Sequence, residues 1–373
     1  MLWLINTPPF GEGLRENMKE KLVFNSEGND APENRLMLGG NTTGIANLNS
    51  VKYKWASQLY KIMLNNFWIP EKISLVEDRN TIKELTPDEL EAFKNTLSFL
   101  IALDSMQCAN LPRMNAFITA PEVSAIYTIQ EFQEMIHSQS YQYMLQELFP
   151  SLEREEIYDY WRSNPLLLKR NKMIAEKYQG FINNPTPENF KVAVAADFAL
   201  EGIYFYNGFN FFYQLASRNK VANVAKMIRL IENDEVTHVS FMNYQVKEIF
   251  DLNNAKDHDL LTSTLKEAVE QEIEWGKSIY GDRILGISEK STEDYLKWLG
   301  NQRSKLIGTG VLYKGYNTNP YAYLDGAKRE NFFETKVVEY SQSTAVEGWD
   351  DFWWKYLYIL QVGVLPVVRS NNP

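Results

Sequence analysis

Two short segments of this chain carry the residue types best suited to chemistry. Glu134-Met135-Ile136-His137 and Glu235-Val236-Thr237-His238 repeat one pattern, Glu-x-x-His. The chain has 3 histidines, and two of them stand in these repeats. Residues three apart on a helix share a face, so each segment presents a carboxylate and an imidazole together. A single pair of this kind is usually a solvated or structural contact. Two pairs on facing helices would supply much of the shell of a two-metal centre inside a helical bundle.

Such a centre also takes one carboxylate from each of two further helices. Asp104 and Glu201 are the candidates. Asp104 ends the apolar run Phe99-Leu100-Ile101-Ala102-Leu103, and Glu201 follows Ala195-Ala196-Asp197-Phe198-Ala199-Leu200. An acid buried alone on such a face is costly, and a bound cation offsets that cost. The set Asp104, Glu134, His137, Glu201, Glu235 and His238 suits iron or manganese, whereas structural zinc favours thiolate and imidazole. Tyr141 lies one turn beyond His137. Phe205 and Phe209 recur on the face of Glu201, and Ile231 lies one turn before Glu235. An aromatic stripe is more often plain core, but here it would also form a dry wall beside Tyr141, of the kind a tyrosyl radical needs. Asp234 is placed to accept a hydrogen bond from a ligand imidazole. Trp68, in Asn66-Phe67-Trp68-Ile69-Pro70, reads as an anchor at a helix end.

The elements that must position these residues are helices. Apolar spacing predicts one over Tyr53–Phe67, stopped by Pro70. Thr86-Pro87-Asp88-Glu89 has the form of a capping box and opens a helix through Asp104. Pro121-Glu122 opens another that reaches Leu148. Thr186-Pro187-Glu188 opens one running to about Ala216, and a further helix spans about Val221–Phe250. Helices also follow over 257–279 and 291–306, and Lys336–Tyr340 could be extended. The fold class is all-α. A lead-in arm occupies 1–48, the helical domain 49–335 and a flexible tail 336–373.

The rest of the chain narrows the function. Its 373 residues are 45% hydrophobic and 23% charged, and 20 Phe, 21 Tyr and 9 Trp supply a large core. A net charge of −10 argues against general nucleic-acid binding. Cys108 is the single cysteine, so an intrachain disulfide and a thiolate cluster are excluded. No phosphate-cradling glycine loop occurs. No signal peptide or membrane span is expected, and a cytoplasmic setting fits.

With these segments in place, the chain resembles the small, radical-generating subunit of class I ribonucleotide reductase. The resemblance rests on Phe67-Trp68-Ile69-Pro70-Glu71, Leu103-Asp104-Ser105, Glu134 to Tyr141, Leu200-Glu201-Gly202-Ile203-Tyr204-Phe205 and Ile228 to Glu235. It implies a ferritin-like helical bundle with extra helices and extended N- and C-terminal arms. It implies that the six residues ligate a dinuclear centre, di-iron first, with di-manganese or mixed manganese–iron as alternatives. Tyr141 falls on the radical tyrosine, and Phe205, Phe209 and Ile231 on its hydrophobic pocket. His137, Asp234 and Trp68 fall on a relay that continues through a tail tyrosine, for which Tyr340 is the candidate. The implied partners are a second copy of the chain, a large reductase subunit bound through the tail, and an activating flavoprotein. The implied activity is that of a ribonucleoside-diphosphate reductase. Asn233 stands where some members carry Arg, and the chain runs on past the acidic-aromatic segment Gly348–Phe352 to Pro373. The rival readings are a ferritin-like di-iron oxidase acting on an apolar substrate and an iron-storage protein.

Overall fold

The computed structural model describes residues 18–324. Residues 1–17 of the arm, 325–335 of the expected helical domain and the tail from 336 onward, with the stretch Lys336–Tyr340 and Tyr340 itself, lie outside them. Among the described residues the elements are helical, apart from an isolated bridge between Gly39 and Ile118. In order they are α1 (Lys54–Asn65), α2 (Asp78–Thr81), α3 (Pro87–Asn115), α4 (Pro121–Leu148), α5 (Ser151–Ser163), α6 (Pro165–Asn183), α7 (Pro187–Ala199), α8 (Tyr206–Ala216), α9 (Ala222–Ile249), α10 (Ala255–Ile279) and α11 (Glu289–Leu306). A π-helical segment, Leu200–Tyr204, joins α7 to α8. Helix α3 lies along α4, and α4 packs on α9. Helix α1 touches both, while α7 and the π segment lie between α9 and α10.

The long helices begin where their caps dictate. The Thr86 hydroxyl accepts from Glu89 N at 3.2 Å, and Glu89 Oε2 accepts from Thr86 N at 3.0 Å. This reciprocal box satisfies two backbone donors and fixes the start of α3. Helix α9 starts differently. Val221 precedes it in the left-handed region (φ 46°) and offers no side-chain cap. The cap comes from Asp78 on α2, whose Oδ2 accepts from Val224 N at 2.7 Å and Oδ1 from Asn223 N at 3.3 Å. A carboxylate there also opposes the positive end of the helix dipole.

Two differences from the sequence reading stand out. Helices α5 and α6 fill a stretch to which no element was assigned. Helix α5 buries Ile157 alone, and the buried row of α6 (Leu167, Arg170, Asn171, Ile174, Tyr178, Phe181) is interrupted by polar residues. Neither gives a clean apolar stripe. The single helix expected from Thr186 to Ala216 is also broken by the π segment. A π turn inserts a residue and leaves backbone groups in need of partners. Arg303, from α11, donates Nε–H to the Gly202 carbonyl at 2.9 Å, supplying one.

The remote cap yields a test. Asp78→Ala is expected to lower the unfolding free energy of the metal-free protein by about 1–2 kcal/mol, the usual range for a lost N-cap. Urea denaturation reads this directly, and an unchanged midpoint would show that Asp78 does not hold α9.

Candidate metal centre

The six candidate ligands come from four elements. Asp104 projects from α3, Glu134 and His137 from α4, Glu201 from the π segment, and Glu235 and His238 from α9. All six are fully buried. They form two overlapping groups that could each hold a metal ion: Asp104, Glu134, His137 and Glu235, and Glu134, Glu201, Glu235 and His238. Within each group the ligand atoms lie within 4.8 Å of one another.

Glu134 and Glu235 belong to both groups because each turns one oxygen to each imidazole. His137 Nδ1 lies 3.4 Å from Glu134 Oε2 and 3.2 Å from Glu235 Oε1. His238 Nδ1 lies 3.2 Å from Glu134 Oε1 and 3.0 Å from Glu235 Oε2. Asp104 Oδ2 lies 4.0 Å from the first imidazole, and Glu201 Oε2 lies 3.4 Å from the second. Glu134 and Glu235 would thus face both metal positions, and Asp104 and Glu201 one each, with one imidazole at each position.

The charges confirm how strained this set is by itself. Burial, then the Glu134 charge, pushes Asp104 well above the usual carboxylate range. Burial, then Glu235, does the same to Glu201. Burial acts upward on Glu235 too, but the His238 and His137 imidazoles outweigh it and hold it low. For both imidazoles, burial opposes the charged form, yet the surrounding carboxylates win and raise them well above an ordinary histidine. Both Asp104 oxygens, both Glu134 oxygens, Glu201 Oε2, Glu235 Oε1 and His137 Nδ1 are buried without a hydrogen bond of adequate geometry. Buried polar atoms are rarely left so, and a cluster of them facing one space could hold metal ions. Two divalent cations would neutralise the four carboxylates, and oxygen with imidazole is the donor set of iron and manganese.

The chain matches the family described as ribonucleotide reductase, small chain, over residues 45–320. It belongs to that family. A ribonucleoside-diphosphate reductase subunit beta from Treponema pallidum is 38% identical over 340 residues, which cover 88% of this chain and 97% of the relative. One from Halalkalibacterium halodurans is 33% identical over 345 residues, covering 90% and 99%. A ribonucleotide reductase R2 subunit from Clostridium botulinum superimposes with a TM-score of 0.80 at 42% identity, covering 83% of this chain and 99% of that one. The bundle is thus the ferritin-like fold of reductase small chains. As a small chain, the protein is one subunit of a reductase that also has a large subunit. No helix among its described residues is long and apolar enough to cross a membrane.

Around the six residues this small chain places a shell of amides and rings. Asp234 Oδ2 accepts from Trp68 Nε1 at 2.9 Å and lies 3.2 Å from His137 Nε2. The Trp68 and His137 rings are 6.4 Å apart, centre to centre. Trp68 is half-buried and packs on the core. Tyr141 is fully buried, and burial, then the Asp104 and Glu235 charges, lifts its phenol far above the usual range. Phe205, Phe209 and Ile231 are also buried, the two phenylalanines stacked at 5.9 Å. Sequence reading missed the glutamines. Gln107 and Gln130 both donate Nε2–H to Glu201 Oε1, the latter at 2.8 Å. Gln107 also donates to Asp197 Oδ1 at 2.5 Å. Their signal was an amide among apolar residues on a helix face, too common a feature to single out.

Glu235→Ala is expected to lose both ions, because its oxygens face both positions. Metal analysis after anaerobic Fe(II) loading and desalting checks this, and a full complement of metal in the variant would overturn the bridging assignment.

Proposed function

We propose that this small chain stores a one-electron oxidant as a neutral radical on Tyr141. It passes that oxidant to the large subunit, which reduces ribonucleoside diphosphates to 2′-deoxyribonucleotides. Asp104, Glu134, His137, Glu201, Glu235 and His238 would hold a di-iron centre, or a di-manganese or mixed manganese–iron one. Once bound, the metal pair supplies the redox capacity that no protein side chain provides.

The protein's part is to place and protect the radical. A buried phenol is costly to ionise, so Tyr141 must give up its Oη proton along with the electron. Asp104, the carboxylate whose charge acts most strongly on this phenol, would take that proton. Phe205, Phe209 and Ile231 keep water and reductants away from the phenoxyl. Asp234 fixes the His137 Nε2–H and so leaves Nδ1 as the metal-facing nitrogen.

The observation that carries the reading is the Asp234 carboxylate. It holds Trp68 Nε1 and faces His137 Nε2 through one oxygen. A storage protein or an oxidase of apolar substrates has no use for an indole joined to a ligand imidazole. A relay that carries an electron outward and moves a proton with it does. Tyr340, outside the described residues, would continue this relay on the tail, which docks on the large subunit. The exposed apolar side chains Phe67, Phe132 and Met135, with the two phenyl rings stacked at 6.1 Å, support pairing with a second copy of the chain. Light scattering that gave the mass of a single chain would remove the dimer. A cytoplasmic location goes with the substrate, and cell fractionation would check it. An activating flavoprotein enters the reading with manganese. Activation of the Mn(II) form by dioxygen alone would make it unnecessary.

Two variants separate the steps. Tyr141→Phe is expected to bind metal normally and to show no tyrosyl EPR signal after Fe(II) and dioxygen. Trp68→Phe is expected to form that signal at wild-type yield and to lose at least about 100-fold in turnover with the large subunit, the scale of a broken positioning contact. A tyrosyl signal in Tyr141→Phe, or normal turnover in Trp68→Phe, would sink the corresponding role. Tyr340→Phe should behave like Trp68→Phe.

A further inference from the structure

Gln133 precedes the first Glu-x-x-His and is almost fully buried. Its side chain lies between two parts of the centre that share no residue in sequence. Nε2 donates to Asp234 Oδ1 at 2.9 Å and to the Met63 carbonyl at 3.3 Å. Oε1 lies 3.0 Å from His238 Nε2.

The orientation of this amide follows from its partners. A carboxylate and a backbone carbonyl only accept, so the NH2 group must face Asp234 and Met63. The carbonyl oxygen must then face His238, and it can only accept. His238 Nε2 therefore carries a hydrogen, whether the ring is neutral or charged. That leaves Nδ1, the atom 3.0–3.4 Å from Glu134, Glu235 and Glu201, as the nitrogen free to bind a cation. Asp234 Oδ2 does the same for His137 from the other side.

The geometry points to Gln133 as a positioning residue that sets the His238 imidazole for the second metal position and ties it to Asp234, so that both imidazoles share one outer carboxylate. This rests on the metal-centre reading and deepens it. Trp68, His137 and, through Gln133, His238 all meet at Asp234. The two positions are thus joined on their outer side by hydrogen bonds, as they are joined on their inner side by Glu134 and Glu235. Partners of this kind hold a ligand ring in place, and their loss costs about 10–100-fold in metal affinity.

The test is an anaerobic Mn(II) titration of the full-length, metal-free chain, with unbound Mn(II) counted by its EPR signal. Wild type should take up two ions. Gln133→Met, which keeps the volume and removes all three bonds, should weaken one binding step about 10–100-fold and the other much less. Gln133→Glu keeps an oxygen for His238 Nε2–H but sets an acceptor against Asp234 and the Met63 carbonyl, so it should recover only part of the lost affinity. The thermal midpoint of each metal-free variant is recorded alongside. Unchanged affinities in Gln133→Met would overturn the proposal and leave the metal centre standing. Equal weakening of both steps, matched by a lowered midpoint, would overturn it in favour of a merely structural role. Failure of wild type to bind Mn(II) or Fe(II) would bring down the metal-centre reading, and this proposal with it.

Discussion

Four carboxylates and two imidazoles share one space closed to bulk solvent, and the rest of the structure depends on that fact. Charges in such a space repel strongly, and removing them from water is costly before any attraction is counted. The surrounding carboxylates favour the charged imidazoles, which raises both above an ordinary histidine and holds Glu235 low. A pair of divalent cations meets it more fully. The pocket is therefore built for its ligand at the expense of its own stability, a trade that functional sites commonly make.

The scaffold holds this set by rigid means. Each ligand sits within a helix or the π segment, where backbone hydrogen bonds fix its direction. The box at Thr86 and Glu89 sets where α3 begins, and Asp78 does so for α9. Two buried arginines secure the π segment. Arg303 binds the Gly202 carbonyl and stacks on Tyr206. Arg170 pairs with Glu272 at 2.5 Å and lies over Phe99, Tyr204 and Trp275. These arginines brace the segment that carries Glu201, a candidate ligand that an uninterrupted α-helix would aim elsewhere.

Much of this was legible in the sequence, for identifiable reasons. The Thr86 and Pro121 starts are read from local chemistry, because a cap acts within a few residues. The paired Glu-x-x-His is read from helix periodicity, because i and i+3 share a face whatever surrounds them. Asp104 and Glu201 showed as acids in apolar runs. Helices α5 and α6 did not show, because α6 buries Arg170 and Asn171 where an apolar row was sought and α5 buries almost nothing. The π segment did not show, because Leu200–Tyr204 has no composition that separates it from an α-helix. The Asp78 cap is invisible in sequence, since its partners lie at Asn223 and Val224.

The sequence by itself determined which acids and histidines share a helix face, their order on the helices and the all-α architecture, since each follows from short-range periodicity and capping. Only the tertiary structure decided that Glu134 and Glu235 each face both imidazoles while Asp104 and Glu201 face one. Only it decided that Asp234 meets Trp68, and that Gln133 bridges Asp234 to His238. The pairings between α4 and α9 join residues about a hundred positions apart, and Trp68 lies 166 from Asp234. They depend on how α4 and α9 are rotated about their own axes as they pack, and that rotation is set by the whole core.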